Sequence, residues 1–201
     1  AVGSNRPKPQ LIDLPPLSAS DALLRQLVAA LSKHPLLSRL LATDEVVRAA
    51  TLVVVQIGDG KTPSAPLADA RPLARLQLQG GQASGPIEPA SYARWETALS
   101  ALISVSPRDA AQLYVNVKPL FDEAYREFGS PAGDFDQAIV AAYQMLAATP
   151  EPTAEPVLLR RPGYFEHEDP ALRALRPVQK QFLLLGPANR AAVLRWMRDL
   201  A

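Results

Sequence analysis

Two glutamates spaced one helical turn apart, Glu123 and Glu127, are the side chains of this sequence whose type and spacing best suit chemistry. They lie in FDEAYREFGSPAGDFD, residues 121–136, which carries five carboxylates: Asp122, Glu123, Glu127, Asp134 and Asp136. Residues four apart share a helix face. The pair could therefore line a cleft, bind a cation or work as a general acid and base. The three aspartates read structurally instead. Asp134, three residues before Gln137, fits a capping arrangement, and Asp136 in the first turn suits the helix dipole. Asp122 stands one turn after Lys118 and one turn before Arg126, an alternating ladder on a solvated face.

Like charges at this spacing repel, and the residue one turn before Glu123 is Pro119, which cannot neutralise them. The glutamates must face open water or find a cation elsewhere in the fold. Residues 107–151 hold three basic and seven acidic residues, whereas 152–201 hold eight basic and five acidic. Arg160, Arg161, Arg173, Arg176, Lys180, Arg190, Arg195 and Arg198 are thus the candidate partners. The acidic helix then docks on the basic C-terminal region, or each is solvated, or the charged surface serves a protein partner.

Other constellations are weak. There is no cysteine, which excludes disulfides, thiolate metal sites and a cysteine nucleophile. His167 in FEHED lacks ligand spacing and reads as part of an exposed loop; His34 is the only other histidine. GDGKTPSA, residues 58–65, lacks the upstream glycine and uninterrupted helix of a phosphate-binding loop. No Gly-x-Ser-x-Gly elbow occurs, and Asp134 and Asp136 do not continue into a calcium loop. Tyr92 and Trp95, at helical spacing, read as core, whereas Tyr164 and Phe165 follow Gly163 in a loop and suit a surface. The candidate binding residues are Glu123, Glu127, Arg160, Arg161 and Tyr164. No catalytic residue, metal or cofactor is assigned.

The elements that must position these residues are mostly helical. DALLRQLVAAL carries Leu23, Leu24, Leu27, Val28 and Leu31 at helical spacing after Ser18 and Ser20, and ends before Pro35. PLLSRLLA is a second short helix. Thr43 or Asp44 can cap EVVRAATLVVVQIG, whose valine run favours a buried helix over a strand. Residues 58–72 are loop. ARLQLQGGQASGPIEP alternates apolar and polar residues around Gly80-Gly81 and predicts a small β-hairpin. YARWETALSALISV places Tyr92, Trp95, Leu99, Leu102 and Ile103 on one face. Ser106-Pro107-Arg108-Asp109 then opens the most periodic helix, striped by Ala110, Leu113, Tyr114, Val117, Leu120, Phe121, Ala124, Tyr125 and Phe128, with a kink or break expected at Pro119. Helices follow over 135–148, after Asp169, after Pro177 and after Pro187, and PVLLRRPGYF has strand character.

Composition agrees with a folded chain. Hydrophobic residues make up 48% and charged residues 20%, with net charge +1, which favours neither disorder nor nucleic-acid binding. The 201 residues suffice for one core without metal or disulfides. Twenty prolines are about twice the ordinary ~5% and fall mainly between apolar runs. No run reaches the ~18 apolar residues of a membrane span. AVGSNRPKPQLIDLPPL at the start, with Pro7, Pro9, Pro15 and Pro16, favours an extended tether. The expected architecture is mainly α: residues 1–17 a proline-rich tether, residues 18–201 a single compact multi-helix domain with a small β-hairpin.

LPPLSASDALLRQL, LLATDEVVRA, GPIEPASYARWETAL, VKPLFDEAYREFG, GDFDQAI, MLAATPEP and LRALRPVQKQFLLLGPANRAAV together resemble an uncharacterised bacterial family, domain of unknown function 3014, from about Leu14 onward. The resemblance implies a short membrane anchor, a proline-rich linker and this domain, on the periplasmic face of the inner membrane. It carries no activity and no catalytic residues. The expected function is non-enzymatic binding or scaffolding, with an envelope protein or cell-wall material as partner and the membrane reached through an anchor upstream of this chain. The alternative is a hydrolase or lyase acting on envelope glycans through Glu123 and Glu127. A homo-oligomeric structural module is a third reading.

Overall fold

Proline marks where helices begin. In the computed structural model, which describes residues 12–129 and 133–200, α1 spans Asp21–Leu31, α2 Pro35–Leu40, α3 Val46–Gly58, α4 Glu96–Ile103, α5 Pro107–Glu127, α6 Phe135–Ala147, α7 Pro170–Arg173, α8 Pro177–Leu183 and α9 Pro187–Leu200. Five of these nine helices open on proline, whose fixed φ suits the first turn and whose missing N–H would have had no helical partner there. This use of proline, together with loops, accounts for its abundance.

Among the described residues three small cores hold the elements together. Leu17, Leu24, Val46, Val47, Val117, Leu120 and Ala124 join α1, α3 and α5. Leu146, Val178 and Phe182 join α6 and α8, with Val193, Leu194 and Met197 of α9 packed against them. Leu76, Leu78, Ile87 and Leu158 form the third core. The α3 helix packs on both α5 and α6, and its Val53–Val55 run is helical as read. Of the proline-rich 1–17, residues 1–11 lie outside the described residues. Leu14 and Leu17 already pack on the first core.

The sheet is built differently from the sequence reading. Strands β1 (Ser84–Pro86), β2 (Val157–Arg161) and β3 (Tyr164–His167) form one antiparallel sheet in the order β1-β2-β3. The tight hairpin is β2–β3, turning through Pro162 and Gly163, whose φ is 83°. Residues 74–89 form only a looped excursion, with one bridge between Leu78 and Ile87. Glycines 80, 81 and 85 all have positive φ there. The segment makes one bridge to itself and gives β1 to β2 instead.

Several local expectations are corrected. The α3 helix is not capped by Thr43 or Asp44; its N-cap is Glu45, at φ 58°, and the cap is supplied from α1. Asp21 Oδ2 accepts from Glu45 N and Oδ1 from Val46 N, both at 2.9 Å. Pro119 neither breaks nor interrupts α5, which is helical through all 21 residues, with Pro119 on its exposed side. Ile103 is 56% exposed, because a 3₁₀ turn over Pro89–Trp95 precedes α4 and shifts the phase of the face. Phe128 lies past the end of α5 and is exposed. Ser106 does accept from Asp109 N, as its position before Pro107 implies.

Candidate functional site

The five carboxylates of 121–136 divide into two groups with different partners. Lys118 Nζ lies 2.8 and 2.9 Å from the two oxygens of Asp122, bonds Asp134, and is 3.8 Å from Asp136. Asp122 Oδ1 also accepts from Phe135 N at 3.0 Å, Asp134 caps α6 through Asp136 N, and the Tyr114 hydroxyl donates to Asp136. Beneath them Phe121 stacks on Phe135 at 5.1 Å, with Tyr114 and Tyr125 at its edges. These aspartates fasten the start of α6 to α5. Burial disfavours the charged lysine, but its bonds to Asp122 and Asp134 outweigh that and raise its pKa. Asp134 is held below its ordinary value chiefly by Lys118.

The two glutamates do not form a free acidic pair. Glu127 is gripped by Arg48 of α3, with Nε–Oε2 at 2.5 Å and Nη2–Oε1 at 2.8 Å, a two-pronged geometry. Arg48 also reaches Glu45 Oε1 at 2.9 Å. The hydrogen bond to Arg48 is the main cause that lowers the pKa of Glu127, and the same bond raises that of Arg48. Glu123 is exposed and adds to the negative field around Arg48. The cation sought in the C-terminal region is therefore on α3. Among the described residues one ion pair does link the acidic segment to the C-terminal region, between Glu151 and the buried Arg190.

The arginines and tyrosine of the hairpin come together, but not on one face. Strand alternation places Leu158, Arg160, Phe165 and His167 toward the third core. It places Leu159, Arg161, Tyr164 and Glu166 on the other side. Arg160 lies over the Phe165 ring at 5.2 Å. Arg161 stands opposite Tyr164, which is 58% exposed, and its Nε donates to Glu166 Oε2 at 3.0 Å. Arg173 of α7 reaches the other oxygen of Glu166 at 3.8 Å. The acidic residues of α5 and the residues of this turn are two separate places on the molecule, with no ion pair between them among the described residues.

His167 corrects the exposed-loop reading. It faces Leu158 across the β2–β3 ladder and is 4% exposed, because the strand that carries it lies against the core. Its Nδ1 is buried without a hydrogen-bond partner. His34, by contrast, accepts from Leu36 N through Nδ1 and meets Ser100 Oγ at 3.0 Å through Nε2.

Tyr92 and Trp95 serve packing, Tyr92 against the third core and Trp95 by donating to Leu184 O. Sequence reasoning missed Arg48 and Asp21, because neither carries a local signal for partners 79 and 25 positions away. Among the described residues, no three His, Cys, Asp or Glu side chains are grouped to hold a metal ion, and no helix is long and apolar enough to cross a membrane.

Compared with known proteins, the chain belongs to the family described as protein of unknown function DUF3014, whose model matches residues 46–201. Neither a curated protein nor a solved structure matches it.

Proposed function

We propose that this DUF3014 domain is a non-enzymatic binding or scaffolding module of the cell envelope. It is held on the periplasmic face of the inner membrane by an anchor upstream of the chain, and it recognises an envelope protein or cell-wall component through the β2–β3 turn. The observation that carries the reading is the opposition of Arg161 and Tyr164 across an exposed two-residue turn, with Arg160 adjacent. Arginine and tyrosine contribute disproportionately to binding surfaces, since each joins a broad flat group to a polar end. The ionised, arginine-bound state of Glu127 argues against its use as a general acid near neutral pH. Envelope placement rests on the family resemblance of the sequence.

The test is mild crosslinking in native cells, then affinity purification of the anchored protein. Wild type is run beside Arg160→Ala/Arg161→Ala/Tyr164→Ala and beside Glu123→Ala/Glu127→Ala. Recovery of one defined envelope partner with wild type and with the glutamate variant, but not with the hairpin variant, is the expected result. Loss only with the glutamate variant moves the contact to α5. Turnover of a glycan by the purified domain, abolished by Glu123→Gln, would replace the binding reading with the hydrolytic one.

A further inference from the structure

The hairpin that carries Arg160, Arg161 and Tyr164 also carries a histidine whose ring is buried with one nitrogen unpartnered. His167 lies on β3 on the core side of the sheet, two strand positions from Phe165, with Leu158 directly across. It is 96% buried by its 4% exposure, and Nδ1 has no acceptor. Two charged groups act on it. Lys180 of α8 opposes a positive imidazole; Asp169, at the N-cap of α7, favours one. Asp169 is already committed, since its Oδ1 accepts from Ala171 N at 2.8 Å and caps α7. Lys180 is held in turn by Arg173 O at 3.2 Å.

A neutral imidazole is tolerated here at the cost of one unmade hydrogen bond. An imidazolium is a different matter: both nitrogens become donors, the charge loses its water, and an ammonium is close by. Three responses are open to the fold. It can stay closed with a displaced proton, turn Asp169 away from α7, or lift β3 so that the ring reaches water. The β3 strand pairs with β2 over four residues, is an edge strand of the three-stranded sheet, and is joined to β2 by an exposed turn. Lifting β3 takes Phe165 off the third core but leaves the α1–α3–α5 core and the α6–α8 core intact.

We propose that His167 is an acid-operated latch on the β2–β3 hairpin, closed while the ring is neutral and released when it is protonated. Because opening takes up one proton, the open population should rise about tenfold for each pH unit below the range where free histidine titrates, until the closed form itself is protonated. The latch is a property of the fold. That it also regulates partner contact rests on the function proposed above, since the same strand pair presents Arg161 and Tyr164.

Two measurements separate the latch from that function. The first follows amide resonances of 157–167 by NMR from pH 7.5 to pH 5, in wild type, His167→Gln, His167→Leu and His34→Gln. The expected result is exchange broadening or shifts confined to 157–167 and α7, present in wild type and His34→Gln and absent in both His167 variants. A transition that survives in either folded His167 variant, or His167 titration without hairpin change, overturns the latch. The second places a photo-crosslinker at position 164 in cells. Yield should fall several-fold from pH 7.5 to pH 5.5 in wild type and stay constant in His167→Gln. No crosslinked partner at either pH, with the NMR transition present, would sink the binding function and leave the latch standing; a partner captured equally at both pH values would sink the regulatory step alone.

Discussion

Arg48 and Glu127, 79 positions apart, meet in a two-pronged ion pair that ties the start of α3 to the end of α5. The pair answers the question raised by two like charges one turn apart: one is neutralised from another helix, and the other stands exposed beside the same guanidinium. Replacing Glu127 with Gln should lower the melting temperature measurably, and Arg48→Met should lower it more, because Glu45 loses its partner as well. Glu123→Gln should change stability little, since the repulsion from Glu127 that it relieves is offset by the attraction to Arg48 that it loses. Thermal denaturation of the three variants checks this order; a larger loss for Glu123→Gln than for Glu127→Gln would contradict it.

Acid should weaken both the α5–α6 joint at Asp134 and the α3–α5 tie at Glu127. Asp134, held low mainly by Lys118, and Glu127, held low mainly by Arg48, both have depressed folded pKa values. Their contribution is fully present above the ordinary carboxylate range and is lost as pH falls through the depressed folded values. This window lies below that of His167, whose pKa is lowered first by burial from 6.5. His167 therefore contributes stability that is full above pH 6.5 and declines as pH falls below it. Wild-type stability against pH should show two steps. Lys118→Met should diminish the lower step, and His167→Leu should remove the upper one.

Asp21 is a helix cap delivered from a distance, and removing it should have the cost of a cap. Its two oxygens hold Glu45 N and Val46 N while Glu45 occupies a left-handed backbone conformation that a residue with a Cβ rarely takes. Asp21→Ala should destabilise the fold by about 1 kcal/mol, and Asp21→Asn should recover part of it. Glu45→Gly, which relieves the backbone, should offset the loss in combination with Asp21→Ala by more than it changes wild type. Urea titration of the four proteins tests the coupling.

Pro119 offers a change in the opposite direction. An internal proline removes one helical hydrogen bond and crowds the carbonyl four residues earlier, yet α5 runs unbroken past it. The residue is exposed and fills no core. Pro119→Ala should therefore stabilise by about 1–3 kcal/mol. A loss instead would mean that the local geometry imposed by the ring is needed to aim Asp122 and Glu123.

The helices were legible where their signals were local. Proline after a polar residue marked the starts of α5, α7 and α8, and apolar spacing marked the buried faces of α1 and α5. The hairpin was misplaced because Gly80-Gly81 imitates a turn signal, whereas the true turn, Pro162-Gly163, lies in a segment whose alternation is short. The buried side of His167 was hidden by its charged neighbours Glu166, Glu168 and Asp169, of which Glu168 and Asp169 are exposed as they look in the sequence and Glu166 is half-buried. Arg160, Arg161 and Tyr164 could be grouped from sequence. That Arg160 turns to Phe165 while Arg161 faces Tyr164 needed the strand register.

The joining of β1 to β2 also sets an order of events for the nascent chain. β2 finds β3 across two residues, but it finds β1 only across roughly seventy, so the loop to be closed is long and its closure slow. The helices α4, α5 and α6 all lie within that loop. Local caps and prolines favour those helices ahead of so long a closure, which predicts that β1 docks late. The three-residue strand Ser84–Pro86 is then a clasp whose pairing depends on the intervening helices bringing its partner near.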